Sequence, residues 1–255
     1  MIDVRVTILG TGAALATGDR VQTGLLVDVS GSTLLVDCGS GVLHRLAGVG
    51  RDPTEIDAVL LSHTHLDHVS DLPGLVKARW MIDQSPTQII GPPGTPDDVG
   101  PLFEIDGQSD RVEVSSFETG AKPGDRIEID VPGTTCESVS ATPTVHSRQG
   151  VGYRFGTRFG FAGDTEASAT LLAFFDGVDV LVHDCAFPSG GEPDNHPTPE
   201  ALAEALESAD PDIDRLYLTH LYPDAACRAD EAREIVAEAT DAAVHVADDT
   251  DDVVE

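Results

Sequence analysis

The sequence predicts an α/β fold in which two β-sheets are sandwiched between layers of helices. Three observations carry that expectation. Strands followed by helices occur twice over along the 255 residues. Several apolar runs stop abruptly at a histidine or an aspartate. These ligand-type residues form one continuous constellation, which favours one domain over residues 1–255 rather than two smaller ones.

Taken in order, a strand is expected at 4–9, then a tight turn at Gly10-Thr11-Gly12-Ala13-Ala14, then a hairpin of 25–29 with 33–37 about Gly31. The glycine turn lacks the G-x-G-x-x-G order and a following helix, so it reads as structural rather than as a phosphate cradle. A helix begins at 42–47, and the apolar run 56–61 is the next strand. An amphipathic helix is expected at 72–82, its N-terminal dipole near the loop before it. A short strand at 89–90 leads into the rigid turn Gly91-Pro92-Pro93-Gly94 and a short helix with loop through Gln108. The stretches 112–117, 125–131 and 135–142 read as successive antiparallel strands, the last leading to His146. A hairpin of 150–155 with 157–162 turns at Gly156, and a helix at 168–175 feeds the apolar strand 178–182. The loop 188–197 precedes a helix capped by Thr198 with Pro199 at its first position. A buried strand at 215–219 stops at His220; a helix at 231–239, a strand at 244–246 and a solvated acidic tail at 248–255 complete the expectation.

The chain carries 15 Lys+Arg against 45 Asp+Glu, a net charge of −30, and its only lysines are Lys77 and Lys122. Acidity spread this evenly concerns solubility in concentrated salt more than fold, and points to a halophilic source. It also disfavours loose electrostatic binding to nucleic acid or anionic lipid. Cys38, Cys136, Cys185 and Cys227 are scattered without C-x-x-C spacing and read as buried reduced thiols. No leader-like start and no apolar run of about 18 residues is visible, so a cytoplasmic protein without membrane association is expected.

The densest chemistry lies at 63–68, where His63, His65, Asp67 and His68 follow an apolar strand. Imidazole and carboxylate together suit zinc, manganese or iron. In extended chain His63 and His65 point the same way, leaving Asp67 and His68 to serve a second position. His146, Asp164 and His220 recur at later strand ends, and seven such positions make two metal sites of ordinary size if one carboxylate bridges. His44, His183 and His245 lack partner spacing and read as structural.

The H-x-H-x-D-H signature with its later His, Asp and His resembles the metallo-β-lactamase superfamily. That resemblance implies an αββα four-layer sandwich with two divalent metal ions, zinc first and manganese or iron as alternatives, at one edge. It implies that His63, His65 and His146 hold one ion, that Asp67, His68 and His220 hold the other, and that Asp164 bridges. An aspartate at 164 departs from the zinc lactamases, which place cysteine there. Three further stretches narrow the resemblance to the ribonuclease Z-like, phosphodiesterase branch: Leu9-Gly10-Thr11-Gly12 with Arg20 and Thr23; Leu34-Leu35-Val36-Asp37-Cys38-Gly39; and Leu181-Val182-His183-Asp184 followed by Asn195-His196-Pro197-Thr198. The last pair is similar to a His-Glu-Ala and a His-Ser-Thr block, with aspartate replacing glutamate and proline following histidine. It implies an Asp184–His196 dyad in which His196 stabilises or protonates the leaving oxygen, while Asp67 orients a hydroxide bridging the metals.

The expected activity is hydrolysis of a small phosphodiester such as a cyclic nucleotide. A transfer-RNA 3′-processing endonuclease and a thioester or lactone hydrolase are the alternatives. The basic, glycine-rich arm that many ribonuclease Z proteins carry has no room here, because 147–163 is taken by a hairpin. That hairpin bears Arg148, Arg154 and Arg158 and no acid, either a phosphate-facing patch or arginines paired with acids elsewhere. Expected partners are a small phosphodiester or a nucleic-acid end, with a homodimer possible. A non-catalytic scaffold is disfavoured because all seven ligand positions are present.

Overall fold

The structure is a computed structural model that describes residues 3–82, 85–134, 139–192 and 194–254. Strands β1 (Val4–Gly10), β2 (Gly24–Val29), β3 (Ser32–Val36), β4 (Ala58–Leu60), β5 (Thr87–Gly91) and β6 (Val112–Ser116) lie in that order in one sheet. The second contains β7 (Ile127–Ile129), β8 (Val139–Pro143), β9 (Val151–Phe155), β10 (Phe159–Phe161), β11 (Val178–Asp184), β12 (Ile213–Thr219) and β13 (Ala243–Val246), again in sequence. A last strand, β14 (Asp252–Val254), returns to the first sheet beside β1.

Each sheet changes character midway. Strands β1 to β3 are antiparallel and β3 to β6 parallel; β7 to β10 are antiparallel and β10 to β13 parallel. Parallel neighbours need crossovers, and most of these are helical. On the first sheet the helices are α1 (Val42–Gly48), α2 (Leu66–Val69), α3 (Leu72–Ile82) and α4 (Thr95–Val99). On the second they are α5 (Ala169–Phe174), α6 (Pro199–Ala209), α7 (Pro223–Ala226) and α8 (Ala229–Ala237).

Because both faces of each sheet are covered, successive strand residues are apolar yet enter different cores. Leu34 and Val36 pack between the sheets with Leu60, Tyr153 and Phe155, whereas Leu35 packs outward with Val42, Leu46 and Leu75. Val180 and Val182 join the central core, and Leu181 packs outward with Leu172, Leu202 and Leu206. Each fully buried side chain of this kind contributes about 1.5–3 kcal/mol. The cap read from sequence is present, Thr198 accepting from Ala201 N ahead of Pro199, and Ser168 caps α5 in the same way by accepting from Leu171 N.

Four expectations change. Strand β6 does not pair antiparallel with β7, its successor in the chain; it runs parallel to β5 at the edge of the first sheet, because its partner is set by the crossover through α4 rather than by a local turn. Of the strand expected at 135–142 only Val139–Pro143 is seen, and residues 135–138, with Cys136, lie outside the described residues. The acidic tail is not solvated: Val6 pairs with Val254 and Thr7 with Asp252, and Val253 and Val254 enter the central core. Its charge masked two valines whose burial repays ordering the segment. Cys38 and Cys185 are buried as expected, but Cys227 is exposed. Among the described residues no helix is long and apolar enough to cross a membrane.

Candidate metal centre

Parallel strands present their C-terminal ends at one edge of each sheet, where α/β folds place their ligands. His63 follows β4, Asp164 follows β10 and His220 follows β12, while α2 carries Asp67 and His68 just beyond His65. His146 comes from the loop after β8.

All seven converge as two adjoining groups. In the first, His63 Nε2 lies 3.0 Å from His65 Nδ1, which lies 3.1 Å from His146 Nε2. In the second, Asp164 Oδ2 lies 3.2 Å from both His68 Nε2 and His220 Nε2, and Asp67 Oδ2 lies 3.7 Å from the same two nitrogens. The Asp164 oxygen is also 3.6 Å from His63 Nε2, so it faces both groups. Tetrahedral coordination at ordinary zinc–nitrogen lengths sets ligand atoms about 3.3 Å apart, so these spacings match a shared cation.

The outer nitrogens give a second test of fit. Asp37 Oδ2 holds His68 Nδ1 at 2.8 Å, Thr23 Oγ1 holds His220 Nδ1 at 3.2 Å, and the Asn195 carbonyl accepts from His146 Nδ1 at 3.1 Å. His63 Nδ1 lies 3.1 Å from Ser62 Oγ, which itself donates to Asp37 Oδ2 at 2.7 Å. Each contact keeps the proton on the outer nitrogen and turns the inner lone pair toward the centre, as metal ligands require. The chain's own residues therefore suit a metal.

Charge supports the same conclusion. Burial lowers the pKa of His63 well below the imidazole norm and does the same, less strongly, to His65 and His146, so the first group is neutral and ready to donate. Burial opposes a proton on His68 too, but Asp164 and Asp37 outweigh it and raise that pKa strongly. Burial would raise the Asp164 pKa, yet His220 and His68 hold it well below the carboxylate range. The second group thus favours a positive charge at its centre.

The backbone is bent to achieve this. Six described non-glycine residues have positive φ, and Asp37 (60°), Asn195 (62°) and His220 (60°) all stand at the centre. The loop after β3 runs so close to α2 that a Cβ on Gly39 would lie 2.0 Å from the Asp67 carbonyl oxygen. Tyr153, fully buried, donates to the Leu61 carbonyl at 2.7 Å and fixes the strand end that launches His63.

Asp184, the last residue of β11, accepts from His196 Nδ1 at 2.6 Å and from the Thr165 amide at 3.2 Å through the same Oδ2. Its Oδ1 is buried and has no partner among the described residues. Burial disfavours charge on His196, but the hydrogen bond and charge of Asp184 raise its pKa overall. The His196 ring stacks on His220 with centroids 5.1 Å apart and sits 4.8 Å from that of His146. His196 is also near enough to His146 and Asp164 to form a third group that could hold an ion.

The arginines of the 147–163 hairpin form no phosphate-facing patch. Arg154 is buried and donates to the Phe174 and Asp176 carbonyls, closing the C-terminal end of α5. Arg158 pairs with Asp179, and Arg148 with Asp98 at 3.4 Å. His44 is exposed, His183 is buried with Nδ1 on the Asp184 carbonyl, and His245 stacks on Tyr217; none joins the centre. Sequence reasoning assigned no role to Asp37, Ser62 or Phe187. Asp37 bears the signal that found the ligands, an acidic residue closing an apolar strand.

His65, Asp67, His146, Asp164, His196 and His220 line a cleft of about 530 Å³ that also includes Phe187, Asn195 and Tyr222. A sequence profile for the beta-lactamase superfamily domain matches residues 32–221. The chain belongs to the metallo-β-lactamase superfamily. Its superfamily relatives include ribonuclease Z of Mycolicibacterium gilvum, 33% identical and covering 96% of this chain and 94% of that one. The solved metallo-β-lactamase fold protein YhfI of Bacillus subtilis superposes with a TM-score of 0.76 at 21% identity, over 97% of each chain. Human tRNase Z, short form, gives 0.75 at 21% identity, over 99% of this chain and 98% of that one. The protein thus sits in the ribonuclease Z-like branch of a superfamily of metal-dependent hydrolases, with the αββα sandwich and His/Asp groups able to bind metal ions.

Proposed function

We propose that residues 1–255 form one hydrolase domain that cleaves small phosphodiesters with two divalent metal ions, zinc foremost. The observation that carries this reading is the Asp184–His196 pair at 2.6 Å, stacked against the ligand cluster. An acid–histidine pair beside the metal centre suits protonation of an alkoxide leaving group, and relatives named ribonuclease Z act on a phosphodiester backbone.

When bound, two divalent ions neutralise phosphate oxygens and lower the pKa of the attacking water. His63, His65 and His146 would hold one, Asp67, His68 and His220 the other, with Asp164 shared. Asp67 then accepts a hydrogen bond from the attacking water and sets its direction. Asp184 holds His196 by Nδ1, leaving Nε2 to give its proton to the departing oxygen. Transfer-RNA 3′ processing is the second reading, favoured by the relatives' name; against it, no lysine or arginine lines the cleft among the described residues.

Turnover of bis-(p-nitrophenyl) phosphate, cyclic nucleotides, a precursor transfer RNA and a thioester by the zinc- or manganese-loaded protein tests the assignment. Activity on the thioester alone overturns it. His196→Ala should lower phosphodiester kcat by about 10²–10⁴-fold, the usual worth of a general acid, with metal content unchanged. Loss of metal from that variant would instead make His196 a ligand. The net charge of −30 supports work in a salt-rich cytoplasm; solubility and activity should rise on adding molar potassium chloride, and no gain would refute this.

A further inference from the structure

Phe187 and Tyr222 stack on each other with centroids 5.7 Å apart and an angle of 26° between their planes. They form one wall of the ligand-lined cleft, and both meet His196 edge-on, at 6.0 and 6.1 Å. On their other side lies a second cavity of about 360 Å³, lined by the same two rings with Leu15, Pro188, Pro223 and Asp224. That volume falls at the small end of ordinary ligand pockets, and the wall shared with the cleft puts it within one substrate's reach.

The surroundings are apolar where a soluble protein would ordinarily be polar. Leu15, 59% exposed, stands over the second cavity, and Leu66, 70% exposed, stands on the lip of the first. Neither cavity is lined by a lysine or an arginine, and exposed Asp194 and Asp224 stand at their rims. A ligand continuing as a polyanion would meet carboxylates there, whereas a flat, uncharged ring would find two aromatic faces and a leucine.

We infer that Phe187, Tyr222 and Leu15 form a specificity subsite for a planar aromatic group, of nucleobase size, carried by the same substrate molecule whose single phosphodiester is cleaved at the metal centre. This inference rests on the proposed phosphodiesterase reading. The subsite takes no part in bond breaking: it holds the ring by stacking, and excludes substrates whose flanking group is small and polar or a second phosphate.

Two esters that share one leaving group isolate the effect: thymidine 5′-(p-nitrophenyl phosphate) and methyl p-nitrophenyl phosphate. The protein should prefer the thymidine ester in kcat/KM, mainly through KM. Tyr222→Ala should lower kcat/KM for the thymidine ester by about tenfold more than for the methyl ester, the effect of losing one base–aromatic stack, and Leu15→Ser should act in the same direction by less, through lost apolar contact. Calorimetry gives a readout independent of turnover: AMP should bind the metal-loaded protein about tenfold more tightly than ribose 5-phosphate does, and Tyr222→Ala should erase that difference. If both esters are hydrolysed but the two ligands bind alike, or if the variants lower both esters in parallel, the subsite is refuted and the phosphodiesterase reading stands. If neither ester turns over while AMP retains its Tyr222-dependent advantage, the reading fails and the aromatic subsite survives.

Discussion

Two buried aspartates of this protein have opposite surroundings. Asp249, whose side chain is 5% exposed, accepts from the Thr11 amide and hydroxyl at 3.0 and 2.7 Å, from the Val21 amide at 2.8 Å and from Arg45 Nε at 3.1 Å. Both of its oxygens are engaged, and it ties the C-terminal segment to the first turn of the chain. Asp184, more deeply buried, uses a single oxygen on His196 and Thr165 and leaves the other without a partner. A saturated carboxylate holds structure together. One with unused capacity is costly to bury and is retained where it acts on something else.

Substitution can break that contrast. The largest effect is expected for Asp184→Asn: a loss of about a hundredfold in phosphodiester kcat, or about 2.7 kcal/mol of barrier, with a Tm close to that of the parent. If its Tm falls instead while kcat holds, Asp184 is structural and the contrast disappears. Asp249→Asn should do the reverse, lowering unfolding stability by about 2 kcal/mol in urea titrations through lost acceptor and charge partners, with kcat unchanged. The smallest effect belongs to a third carboxylate, half-buried Asp28. Arg51 forks onto it at 2.8 and 2.9 Å and, against its partial burial, holds it below the ordinary value of 3.8. A depressed folded pKa means that this stabilisation is complete above pH 3.8 and is lost as the pH falls through the lower, folded value. Asp28→Asn should cost less than about 1 kcal/mol at neutral pH, with the gap to the parent closing in acid. A gap that widens in acid would show the sign to be wrong.

The ligand shell was legible because metal chemistry needs particular residue types and the chain concentrates them: three histidines and an aspartate at 63–68, then single residues at the ends of apolar runs. The contact between Asp184 and His196 was legible through the resemblance alone. The groups that hold the ligands were harder to see. Asp37 and Thr23 meet His68 and His220 across 31 and 197 positions of sequence, and no local pattern reports such a contact. Arg154 misled because a cation in an acidic chain suggests an anion, although peptide carbonyls at a helix end satisfy it equally well. The tail misled for the opposite reason, its acids outnumbering the two valines that complete the core. Both errors gave net charge priority over backbone hydrogen bonding and apolar burial.

Gly39 contributes by what it lacks. It carries no side-chain donor, no charge and no ring, yet the room for a single methyl group is already taken by the carbonyl of Asp67. The loop after β3 and helix α2, which bring Asp37 and Asp67 to the centre, lie this close only because this position has no side chain. A side chain placed there would therefore disturb the centre for a reason unrelated to its chemistry, and the defect would present as a misplaced cluster in a protein whose every histidine and aspartate is intact.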